Sequence, residues 1–137
     1  MKVVLDSNVL IAAFAARGLC ESLFELCLER HEIVSSAPLL AEVREKLGSK
    51  IKLPKETIDE ILGFLERHTS TVVPADVPAD ACADPDDLMV LGTAKAGDAS
   101  YLVTGDGDLL ALETYEGIEI ATPRRFWENE SGSSTAR

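Results

Sequence analysis

The chain lacks the cysteine, histidine and glycine spacings most often used to bind zinc or nucleotides, and it has no membrane-length apolar run. Its cysteines, Cys20, Cys27 and Cys82, are odd in number and include no CxxC pair, so they do not build a zinc site. Cys20 and Cys27 stand seven apart on one helical face and read as small apolar packing residues. No GxGxxG or GxxxxGK[ST] sequence occurs, which argues against a nucleotide-binding module. The two histidines, His31 and His68, have no second histidine or cysteine spaced to help them hold a metal. Both fall at expected helix ends, where they would meet terminal carbonyls. No apolar stretch approaches the ~20 residues that span a bilayer. The chain enters a strand at once, without a secretory leader, so a cytoplasmic location is expected. Internal repeats are absent.

Positive charge is also scarce. Thirteen Lys and Arg face 24 Asp and Glu, for a formal net charge of −11. A non-specific nucleic-acid coat protein, which binds by neutralising phosphates, is therefore disfavoured. A nuclease is not, because metal ions can neutralise part of the acid and a local basic patch can guide the polymer. The acidity also suits a cationic protein partner. What is abundant is apolar side chain: 46% of 137 residues, enough for the core of one soluble domain.

Strand and helix patterns alternate. Strands are expected at residues 2–5, 32–35, 101–104 and 117–121, with a β-rich stretch at 69–73. Helices are expected at 9–15, 20–30, 54–67 and from Asp84-Pro85 to near Gly97. Another starts at Ser36 with Pro38 in its first turn and stops at Gly48. Residues 74–83 read as a loop, 105–108 as a turn, 109–112 as a short helical piece, and 123–127 as a last helical turn. This order predicts one three-layer α/β/α sandwich with a central parallel sheet, spanning residues 1–127. Residues 128–137 read as a polar, frayed, disordered tail. Ligands of such sheets bind beyond the carboxyl ends of the strands.

Acids stand at two of those ends. KVVL runs into Asp6, and YLVTG runs into Asp106. Two more lie on helices. Glu42 falls just beside the stripe Leu39, Leu40, Val43 and Leu47, where it either pairs with Lys46 one turn on or faces a site. Asp87 precedes Val90, Leu91 and Ala94 at i+3, i+4 and i+7, so it points inward while Asp86 does not. Each acid has an ordinary alternative as a helix cap or turn residue. Together, Asp6, Glu42, Asp87 and Asp106 form an oxygen-only donor set suited to Mg²⁺ or Mn²⁺ rather than zinc. Asn8, Thr104, Asp84 and Asp108 are candidates for the outer layer of that site. Asn8 would hydrogen-bond a carboxylate, and Thr104 would offer its hydroxyl to a phosphate or water.

The segments VVLDSNVLIAAF, SAPLLAEVREKL and DPDDLMVLGTAKAGDASYLVTGDGDLLAL, in this order and spacing, resemble the PIN-domain ribonucleases, in particular the VapC-like toxins of prokaryotic toxin–antitoxin pairs. The resemblance runs from Met1 to about Trp127. It implies a PIN-like fold and hydrolysis of RNA phosphodiesters with Mg²⁺ or Mn²⁺. Asp6, Asp87 and Asp106 would hold metal, and Glu42 would orient or deprotonate the attacking water. The resemblance also implies a small antitoxin partner and a homodimer. Apolar residues of the early helices (Leu10, Phe14, Leu19) would serve dimer, antitoxin or core. Relatives often have Asn-Lys where Leu88-Met89 stands here, which removes a cation near the site. The densest basic run, Arg44, Lys46, Lys50, Lys52 and Lys55, is a candidate RNA guide, with Arg124 and Arg125 as additions. The rival readings are an aspartyl-nucleophile phosphatase or phosphotransferase and a catalytically silent PIN-like interaction module.

Overall fold

A computed structural model describes residues 1–135. Six strands form one sheet in the order β3-β2-β1-β4-β6-β5. Strands β1 (Lys2–Leu5), β2 (Glu32–Ser36), β3 (Ser70–Val72), β4 (Tyr101–Val103) and β6 (Ile118–Ala121) are parallel. The two-residue β5 (Thr114–Tyr115) adds an antiparallel edge that the sequence reading lacks. Its two-residue return to β6 is made by left-handed Glu116 and Gly117, of which only glycine adopts that conformation freely.

The helices are α1 (Ser7–Ala15), α2 (Leu19–Arg30), α3 (Ala37–Ser49), α4 (Lys55–His68), α5 (Pro85–Ala96), α6 (Gly107–Leu110) and α7 (Pro123–Thr135). Alternation along each strand divides the core. Val3 and Leu5 face a cluster with Leu10, Phe24, Val43, Leu65 and Phe126. Val4 faces a second cluster with Val90, Leu91, Leu102 and Ile120. Period-two side-chain direction thus sets α1–α4 and α7 on one face and α5–α6 on the other. Three layers result, as the sequence predicts.

Several boundaries differ. Helix α3 passes through Gly48 to Ser49, since Leu47 is fully buried and holds its last turn in place. Helix α7 continues to Thr135 where a frayed tail is expected from residue 128. Phe126 is fully buried, His31 Nε2 lies 2.8 Å from Glu130, and α7 packs on α2. Docking of Phe126 and Glu130 thus carries the helix past Trp127, where the sequence reading ends it. The last two positions of the expected tail lie outside the described residues. Leu10 belongs wholly to the core, and Phe14 stacks edge-on against Phe24 at 5.2 Å. Cys27 is buried and free, and burial pushes its thiol up to about 12, so it acts as an apolar residue. His68 stacks on Phe64 rather than capping carbonyls. Among the described residues no helix is long and apolar enough to cross a membrane.

The loop before α5 approaches that helix closely. Ala75 N–H donates to the Gly92 carbonyl at 2.9 Å. A methyl group at Gly92 would meet the Ala75 carbonyl oxygen at 2.4 Å. Gly92→Ala should therefore destabilise the fold by about 1–3 kcal/mol, the cost of overpacking, despite alanine's better helix propensity. Chemical denaturation with unchanged m-value is the check.

Candidate active site

The order of strands reverses between β1 and β4, which are neighbours although most of the chain separates them. This is the point where an open parallel sheet leaves a crevice. Asp6 follows β1 and Asp106 follows β4 by three residues. Each caps the next helix: Asp6 Oδ1 accepts from Ser7 N–H at 2.7 Å, and Asp106 Oδ2 accepts from Leu109 N–H at 3.3 Å. Asp84 caps α5 by accepting from Asp86 N–H at 2.9 Å. The ordinary capping explanation is thus correct for three acids, but it does not exhaust them. The capped helix starts border one cleft, where their N–H groups favour negative charge.

That cleft has a volume of about 140 Å³ and is lined by Asp6, Ser7, Asn8, Glu42, Lys46, Asp84, Asp86, Asp87, Val90 and Asp106. All four inward acids proposed from sequence meet there. Asp6 and Asp87 are only 5% and 7% exposed. Asp87 Oδ2 is buried without a hydrogen-bond partner among the described residues. One carboxylate oxygen each of Asp87, Asp106 and Asp108 lie within 4.8 Å of one another. Asp108, expected in an outer layer, therefore stands beside two of the inner acids.

The electrostatics are unfavourable without a cation. Burial raises the Asp6 carboxyl above its usual range, against the Thr104 hydroxyl and Ser7 N–H, which lower it; Glu42 and Asp106 add repulsion. Asp87 is raised to about 7, first by burial, then by hydrogen bonding with Asp106 and by the negative charges of Asp106, Asp84 and Asp6. Crowded carboxylates that resist ionisation are a feature of sites built for charge chemistry.

Supporting contacts differ from the sequence reading. Thr104 is fully buried and faces neither phosphate nor solvent. Its hydroxyl donates to Asp6 Oδ2 at 2.7 Å and accepts from Asp106 N–H at 3.0 Å, tying the two strand-end acids together. Asn8 lines the cleft and is exposed, with no hydrogen bond to a carboxylate among the described residues. Ser7 takes the holding role instead: its hydroxyl donates to Glu42 Oε2. Sequence reasoning passed over Ser7 because the contact joins α1 to α3, 35 residues away. The Lys46–Glu42 pair exists, with Nζ to Oε2 at 3.3 Å. It borders the cleft rather than lying in open solvent, so the site does keep a cation. Arg44 turns away to Asp59 at 2.9 Å.

A larger depression of about 400 Å³ lies at the opposite, amino-terminal end of β4 and β6. Its Lys95 and Glu116 neutralise each other at 3.5 Å, and it contains none of the converging acids.

The sequence profile of the PIN domain matches residues 2–108, the span that carries all of these acids. The chain belongs to the PIN-domain family. Solved PIN-family structures share its fold at low sequence identity. VapBC2 from Rickettsia felis, bound to a promoter DNA fragment, superposes with a TM-score of 0.63 at 17% identity, covering 89% of this chain and 98% of that one. DNA-bound VapBC from Salmonella typhimurium gives 0.62 at 19%, covering 90% and 98%. The Mycobacterium tuberculosis toxin VapC20, described as cleaving the sarcin–ricin loop, gives 0.62 at 13%, covering 85% and 98%. Among curated proteins, none matches the chain by sequence. Helix α7 falls beyond the span of the PIN profile.

Proposed function

We propose that this PIN-domain protein is a divalent-metal-dependent endoribonuclease and the cytoplasmic toxin of a toxin–antitoxin pair. The observation that carries the reading is the buried, unpartnered Asp87 Oδ2 beside the carboxylates of Asp106 and Asp108. A buried carboxylate oxygen without a donor is costly, and a hard cation relieves it. The donor set fits such an ion: six carboxylates line the cleft, with no thiolate or imidazole among the described residues lining it.

Asp6, Asp87 and Asp106 would hold Mg²⁺ or Mn²⁺, with Asp108 beside them. When bound, the ion supplies Lewis-acid polarisation of the phosphate and a more acidic water. Glu42 lines the same cleft, with Oε2 fixed by Ser7 and Lys46. That leaves it ordered to orient the attacking water and accept its proton. Thr104 keeps Asp6 in one rotamer, and the N–H groups at the start of α1 and α6 hold Asp6 and Asp106. Arg44 and Lys52 would act only by long-range steering of RNA.

An aspartyl nucleophile is less suitable. Both oxygens of Asp6 already accept hydrogen bonds, Oδ1 from Ser7 and Oδ2 from Thr104, which blunts nucleophilic attack. A silent interaction module gives no reason to keep four buried or half-buried acids facing one another. Antitoxin pairing is supported by the VapBC and FitAB assemblies that share the fold. A homodimer is proposed from the family resemblance alone.

Purified protein should cleave single-stranded RNA with Mg²⁺ or Mn²⁺ and not with chelator. Asp6→Asn and Asp106→Asn should each lower the rate by at least about two orders of magnitude. Undiminished cleavage by both variants would refute the assignment.

A further inference from the structure

RNA must approach a cleft whose wall is almost wholly negative. Among the described residues lining it, Lys46 is the only cation. It stands one turn beyond Glu42 on α3, with Nζ 3.3 Å from Glu42 Oε2. An ammonium has three N–H donors, and Glu42 occupies one.

Lys46 also borders a second depression of about 380 Å³, predominantly apolar, built from Ile11, Ala12 and Ala15 of α1 and from Ile51. Asn8 and Lys46 line both, so the acidic cleft and the apolar groove adjoin along these two side chains. Lys50 borders the groove one turn further along. Glu42, Lys46 and Lys50 follow at i, i+4 and i+8, and residues so spaced are neighbours on one helix side. From cleft to groove the lining therefore changes from carboxylates to two cations and apolar side chains.

We propose that Lys46 and Lys50 are substrate-phosphate contacts, leading a single strand of RNA from the carboxylates along the groove, where one unstacked base lies against Ile11 and Ile51. This rests on the ribonuclease reading. The charge order suits a nucleic-acid strand: a phosphate at the acidic end needs metal, and the next phosphates need fixed cations. The apolar lining suits a base only when it is free of pairing, which selects single strands over duplexes.

The test uses Lys46→Met, Lys46→Arg and Lys50→Met, with Lys95→Met at the far depression as control. Steady-state cleavage separates KM from kcat. Anisotropy of a labelled phosphorothioate RNA gives affinity from about 50 to about 200 mM salt. Lys46→Met and Lys50→Met should each raise KM and Kd about tenfold, the loss of one charged hydrogen bond. Each should reduce the slope of log affinity against log salt by about one. For Lys50→Met, kcat should stay nearly unchanged, as for loss of uniform binding. Lys46→Arg should restore affinity, Lys95→Met should change nothing, and duplex RNA should compete poorly. Unaltered KM, Kd and salt slope in Lys46→Met and Lys50→Met, with active wild type, would overturn this inference alone. So would Lys46→Met and Lys50→Met variants that weaken only the binding of a protein partner. A wild type that neither binds nor cleaves RNA would overturn the ribonuclease reading and this inference with it.

Discussion

Asp87→Asn should raise the melting temperature of the metal-free protein near neutral pH while abolishing RNA cleavage. Asp87 is buried, unpartnered at Oδ2 and surrounded by Asp106, Asp84 and Asp6. Its carboxyl is raised from 3.8 to about 7. A raised carboxyl binds more protons in the folded state than in the unfolded state. Stability from this group is therefore fully present below about pH 4 and is lost as pH rises through about 7. The difference amounts to at most about 4 kcal/mol at one pKa unit per 1.36 kcal/mol. Asp6, raised mainly by burial, contributes in the same direction.

Asparagine removes the ionisation and keeps the shape. A net gain of about 2 kcal/mol above pH 7 is expected, less than the full difference because the amide is also imperfectly bonded. In a domain of this size that is several degrees. Calorimetry of both proteins across acid to neutral pH checks it: the wild-type curve should fall through the window and the variant curve should be flatter. Mn²⁺ should reverse the order. At about 100 times its dissociation constant an ion adds about 2.7 kcal/mol to the wild type, and much less to a variant lacking one ligand.

The second large effect is expected at a residue that touches no substrate. Thr104→Val keeps the buried volume but removes the hydroxyl that joins Asp6 Oδ2 to Asp106 N–H. One buried carboxylate oxygen and one backbone donor lose their partner. A stability loss of about 2–4 kcal/mol follows from such unsatisfied groups. Cleavage should fall by about 10- to 100-fold, as for other residues that orient a metal ligand. Thr104→Ser, which restores the hydroxyl, should recover most of both. Equal stability and activity of the valine variant would show that the strand ends are set without this bridge.

The sheet and the acids were legible because each leaves a local sign. Apolar strands that run directly into Asp6 and Asp106 are short-range patterns, and so is the i+3, i+4 spacing that turns Asp87 inward. Contacts between elements were not legible in the same way. Ser7 carries no local sign of its role, which appears only when α1 packs on α3 and sets its hydroxyl on Glu42. Thr104 reads as a free hydroxyl until β1 and β4 pair and Asp6 comes within 2.7 Å. Lys46 reads as a solvated partner of Glu42, and only the closure of the cleft shows that both face inward. Strand β5 is too short to carry a period-two pattern, and its existence depends on β6. Helix α7 past Trp127 has weak intrinsic propensity and is held by Phe126 and Glu130 against distant residues. Local chemistry thus places the catalytic candidates, whereas the partners that aim them are set by packing.

A crystal soaked in Mn²⁺ tests the central claim most directly. Anomalous difference density is predicted in the cleft against Asp6, Asp87 and Asp106, and it should vanish in Asp87→Asn under the same soak. A wild-type cleft without density at millimolar Mn²⁺, or density confined to surface acids elsewhere, would contradict the account.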